Sequence, residues 1–119
     1  METTIGKAVS TLSALDEIRG QRISRSKAKE VFELRKRLVE SYEFFMEQLN
    51  EALERIGLSM NENGEVKFED DIQKALFMTE IKDIEATATT IEMEKIDLSG
   101  EDITISEHFC DATQDFVII

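Results

Sequence analysis

The chain reads as an α+β protein, mainly helical: an N-terminal helical hairpin with one long helix, then a turn or β-hairpin, a third helix, short strands and a C-terminal helix. Three observations predict this. There is no proline, and residues 25–56 also lack glycine, so nothing in that stretch breaks a helix. Apolar residues recur there at seven-residue intervals. Beyond it, Gly57, Asn63-Gly64 and Ser99-Gly100 cut the chain into short pieces. With 119 residues, it reads as one domain with a modest core.

Ile5, Ala8, Val9, Leu12, Leu15 and Ile18 predict a helix over about 4–19, ended by Gly20, since glycine adopts the left-handed cap at little cost. Ser24 or Ser26 can then cap the long helix over about 25–56, because a serine hydroxyl accepts from the free N–H groups of a first turn. Three rows of apolar residues cover a wide arc of that helix. They are Val31, Leu38, Phe45 and Ala52; Ala28, Tyr42, Leu49 and Ile56, interrupted by Arg35; and Phe32, Val39, Met46 and Leu53. A 32-residue helix spans about 48 Å, more than the first helix can cover. Either the C-terminal region or a second copy is expected on its far half.

Asn63-Gly64 predicts a β-hairpin or turn near 58–68. Asp70 or Asp71 can cap a third helix over about 71–86, with Ile72, Ala75, Leu76, Phe77, Ile81 and Ile84. Residues 88–98 are β-branched and alternating, and the apolar phase slips between Met93 and Ile96. That predicts one bulged strand or two short ones. Ser106 can cap a C-terminal helix over about 107–116, and the Phe116–Ile119 tail is expected to close the core over the far end of the long helix, with an exposed docking strip as the alternative.

Charge is unevenly placed. Residues 1–56 are neutral, so the whole net charge of −12 lies in residues 57–119, where Lys67, Lys74, Lys82 and Lys95 face sixteen carboxylates. Residues 19–37 hold eight basic side chains against Glu30 and Glu33. The long helix is therefore basic at its start and acidic at its end, through Glu40, Glu43, Glu47, Glu51 and Glu54, which opposes its dipole. The basic end is expected to dock on acidic surface, either the protein's own second half or another copy. Net negative charge argues against direct binding of nucleic acid or of an anionic membrane. No run reaches the roughly 18 apolar residues of a membrane span, and no secretory h-region opens the chain. Cys110, the sole cysteine, precludes an internal disulfide; a cytoplasmic location is expected.

Ser59 to Asp70 is similar to an EF-hand calcium loop, with Ser59, Asn61 and Asn63 at the first three ligand positions, Gly64 at the sharp turn and Asp70 at the last. It lacks carboxylates at the early positions and the longer bidentate Glu at the end, so a structural turn is the favoured reading, with no metal or other cofactor. His108 and Cys110, two apart on a helix, point to different sides and make a poor nucleophile–base pair. The isolated glycines form no phosphate-cradling loop.

The order of parts is a helical hairpin with one long charged helix, the Glu62-Asn63-Gly64 turn, a third helix, and an Ile-rich strand running into Ile96–Ile103 (IDLSGEDI) before a short last helix. It resembles small accessory proteins of tailed phages and prophages. The resemblance carries no catalytic residue and implies an α+β accessory protein without enzymatic activity, in a bacterial or phage-infected cell. The leading expectation is a protein–protein interaction or assembly module, self-associating through the long helix or binding a basic protein. Its contact residues would be Arg25, Lys29, Phe32, Lys36, Val39 and Met46. An acidic inhibitor that imitates nucleic acid is the alternative, and a degenerate calcium loop ranks below it.

Overall fold

A computed structural model describes Met1–Ile119. Its elements follow the expected order. A three-residue strand, β1 (Glu2–Thr4), leads into α1 (Ile5–Ala14), which tightens into a 3-10 turn at Leu15–Ile18. The long helix α2 runs Arg25–Ile56 and α3 runs Asp71–Glu85. Then come β2 (Ala88–Thr90), β3 (Ile96–Asp97), α4 (Glu107–Thr113) and β4 (Val117–Ile118). The structure is mainly helical α+β, elongated to 50 × 26 × 21 Å, with α2 along the long axis.

Local chemistry explains most boundaries. Gly57 takes the left-handed conformation (φ 85°) and its N–H returns to the Leu53 and Glu54 carbonyls, closing α2. Asp70 caps α3 by accepting from the Gln73 N–H at 2.8 Å, while Gln73 Oε1 accepts from the Glu69 N–H. Ser106 Oγ accepts from the Phe109 N–H and caps α4, which ends at Thr113 rather than 116 because Phe116 turns back to donate to the Thr113 carbonyl.

Ser24 occupies the cap position of α2 but makes no side-chain cap. Its hydroxyl donates to Glu101 Oε1 at 2.5 Å and its N–H to Glu101 Oε2 at 3.2 Å. The expected serine cap is thus outcompeted by a carboxylate, which makes stronger, charge-assisted bonds. Near 58–68, the hairpin shrinks to one bridge, Met60 with Val66. Asn61 Oδ1 accepts from the Asn63 and Glu65 N–H groups, and Gly64 (φ 78°) donates to the Asn61 carbonyl. Only the glycine is left-handed there, as in a type I turn followed by a bulge.

The 88–98 region resolves into two strands in different sheets. β2 pairs antiparallel with β1 (Thr3 opposite Thr89), and β3 pairs parallel with β4 (Ile96 opposite Val117).

Two apolar clusters sit along α2. The proximal one gathers thirteen buried residues, among them Ala8, Leu15, Val31, Leu34, Leu38, Ile96, Leu98, Phe109 and Phe116. The distal one has Leu49, Leu53 and Phe77 at its centre, with Phe45, Met46, Ile56, Leu58, Met60, Val66, Phe68 and Ile81 around them. The far half of α2 is therefore covered by α3 and the 58–68 turn. The tail goes the other way: Phe116 and Val117 are buried in the proximal cluster, and Ile118 and Ile119 stay half exposed.

Segment 99–106 has no regular structure, and polar side chains hold it against the stretch leading into α2. Glu17 accepts from the Ser106 N–H (2.7 Å) and hydroxyl (2.6 Å). Gln21 donates to the Thr104 carbonyl (2.8 Å) and accepts from its N–H (2.7 Å). Glu101 holds Ser24 in the same two-pronged way. Each of the two serines preceding a helix is thus gripped by a carboxylate from the opposite segment, which also places negative charge at a helix N-terminus.

Candidate interaction surface on the long helix

Which side of α2 faces inward follows from its partners. Val31, Leu34, Leu38, Ser41, Leu49, Ala52 and Leu53 are buried. One position further round lies a second row at alternating three- and four-residue steps: Phe32, Arg35, Val39, Tyr42, Met46, Leu49, Leu53 and Ile56. That spacing is the seam of a helix that packs on another helix. The row has two different fates. From Met46 onward it is covered by the distal cluster. Before that it is open: Phe32 is 59% exposed, Val39 37% and Tyr42 43%.

Beside the open half, α1 forms one wall of a shallow groove of about 490 Å³. Val9, Leu12, Asp16 and Arg19 lie on one side, with Arg35, Val39 and Tyr42 on the other. Arg35 donates to the Leu15 carbonyl at 3.2 Å, while its Nε is buried with no hydrogen-bond partner.

Charge flanks this strip in a fixed order. Lys27 pairs with Glu30 (3.1 Å), and Arg37 and Lys36 reach Glu33 at 3.3 and 4.0 Å. Lys36 also lies over the Phe32 ring, 5.6 Å from its centre. Arg22, Arg25 and Lys29 form no ion pair, nor do Glu40, Glu43 and Glu47. No basic residue of 19–37 pairs with the acidic second half; the ion pairs to that half are Lys7 with Asp115 (3.7 Å) and Arg55 with Glu80 (3.1 Å), both from outside the run. Of the six contact residues expected from sequence, Arg25, Lys29, Phe32, Lys36 and Val39 line or flank the open half. Met46 is drawn into the distal cluster. Tyr42 and the α1 wall are additions; Tyr42 was legible as part of an apolar row, whereas the wall depends on how α1 lies against α2.

The remaining candidates sit elsewhere. In the Ser59–Asp70 loop the Asn61 carboxamide oxygen and the Asp70 carboxylate are committed to backbone N–H groups, and Ser59, Asn61 and Asn63 are exposed. No three His, Cys, Asp or Glu side chains come together as a metal-holding group. His108 lines an open cleft of about 590 Å³ with Lys7, Lys82, Glu85, Asp111 and Asp115, which Cys110 does not line. Hydrogen bonds from the Ser106 hydroxyl and N–H hold the Glu17 carboxyl below its ordinary range, and Ser99 does the same for Asp97. Both are structural tethers. No helix is long and apolar enough to cross a membrane.

No family model, curated protein or solved structure matches the chain.

Proposed function

We propose that this chain is a non-enzymatic interaction or assembly module of phage or bacterial type, self-associating through its long helix. One observation carries the reading: the outer seam of α2 is covered from Met46 to Ile56 but bare at Phe32, Val39 and Tyr42. A helix-packing seam that stops at half its length is incomplete, and contiguous exposed apolar surface of this kind marks contact sites. The unpaired charges beside it support a protein partner, since complementary charge guides encounter and orientation. A free Cys110 fits a reducing compartment such as the bacterial cytoplasm.

Sedimentation velocity from micromolar to near-millimolar protein tests this. A sedimentation coefficient that rises with concentration is expected in the wild type, with Phe32→Ser lowering that rise. A strict monomer at the highest concentration would sink self-association.

A further inference from the structure

The structure carries the reading one step further. We infer that the occupant of the open strip is the same strip of a second copy, laid antiparallel across a two-fold axis near residue 37. This inference rests on the self-association proposed above and adds its geometry.

Three features point to it. First, the charges that find no partner within the chain are ordered along one helix. Arg25 and Lys29 lie before the midpoint of the open strip, and Glu40, Glu43 and Glu47 after it. A parallel partner would set like against like. An antiparallel one brings Lys29 alongside Glu43 of the second copy, offset by about 3 Å along the axis and within reach of both long side chains, twice per dimer by symmetry. Second, residue 32 then faces residue 42 of the second copy. The exposed Phe32 ring meets the groove lined by Val9, Leu12, Val39 and Tyr42, and each copy supplies one ring and one groove. Third, Lys36, the basic residue flanking the open strip nearest the axis, is turned onto Phe32 and Glu33, which draws its ammonium away from its symmetry mate.

The end of the pairing is also built in. Beyond residue 45 the same seam is occupied by α3 and the turn before it, so the second copy cannot slide further along. The contact is confined to about two turns on either side of the axis, a two-helix crossing rather than a full-length coiled coil.

Charge reversal tests the geometry. Lys29 and Glu43 are exposed and unpaired in the monomer, so Lys29→Glu and Glu43→Lys leave the fold intact, which circular dichroism checks. Each single variant is expected to weaken dimerisation by about three- to tenfold, the scale of exposed ion pairs turned repulsive. The double variant K29E/E43K is expected to recover most of the loss. Crosslinks between Phe32→Cys in one copy and Tyr42→Cys in the other, in a Cys110→Ser background, give an independent readout. If the wild type dimerises but the double variant recovers nothing and no 32–42 crosslink forms, the antiparallel arrangement is overturned while self-association stands. If the wild type stays monomeric, the underlying reading fails first.

Discussion

Removing the Phe77 ring should uncouple the two ends of the molecule. Phe77 is 7% exposed, one of only three residues at the centre of the distal cluster, and its ring sits 5.5 Å from that of Phe68 at a tilted angle of 51°. Replacing a buried Phe by Ala costs about 3–5 kcal/mol through lost burial and the residual cavity. Little else in that cluster can absorb the loss, since Leu49 and Leu53 are its other buried members. The proximal cluster has thirteen such residues and does not contain Phe77. Phe77→Ala is therefore expected to open the distal unit, α3 and the last turns of α2, well before the rest. Native-state hydrogen exchange reads this directly, because each 1.4 kcal/mol is about tenfold in the opening equilibrium. Amides in Asp71–Glu85 and near Leu53 should lose about a hundredfold or more of their protection, while those at Val31–Leu38 keep theirs. Equal loss at Leu34 and at Leu53 would show one cooperative unit and refute the two-cluster account.

Two other outcomes follow from local geometry. The Glu17 and Asp97 carboxyls titrate below their ordinary values when folded, so their stabilisation is complete above the unfolded values and is lost as pH falls through the folded ones. Thermal denaturation from neutral pH downward should thus show stability falling below about pH 4.5, and Ser106→Ala should flatten that limb; an unchanged limb would contradict the assigned cause. At Gly57 (φ 85°) an added Cβ meets nothing within 4 Å, so Gly57→Ala isolates backbone strain and should cost about 1–2 kcal/mol in urea denaturation; no loss would argue against the left-handed cap.

The sequence showed the long helix at its observed bounds because everything that defines it is local: unbroken apolar rows, no glycine, then Gly57. The same holds for the starts of α3 and α4, whose caps Asp70 and Ser106 sit beside the turns they satisfy. The inward face of α2 was harder to read. Three apolar rows competed, and the row that packs inward runs through Leu34 and Ser41, where a buried serine hides the pattern. The strands at 88–98 were legible from their β-branched alternation, but their pairing was not. Their partners β1 and β4 have only two or three residues and carry no periodicity, and Glu2 pairs with Thr90 far along the chain. Ser24 shows long-range competition most plainly, because the carboxylate that takes its hydroxyl lies 77 residues away. The candidate contact residues were mostly visible as apolar rows and charge order; which of them α3 would cover was not.

The Glu17–Ser106, Gln21–Thr104 and Ser24–Glu101 tethers also set a rule about length. The segment from 101 to 106 is pinned at three points, and at Thr104 the contact is made by backbone alone. Substituting the Thr104 side chain leaves that anchor intact. Inserting or deleting one residue between 101 and 104 shifts the spacing between anchors, so at least one must be released. Apart from Glu101 and Ser106, whose own side chains make contacts, the loop should accept changes of composition far more readily than changes of length, whereas surface connections usually tolerate both.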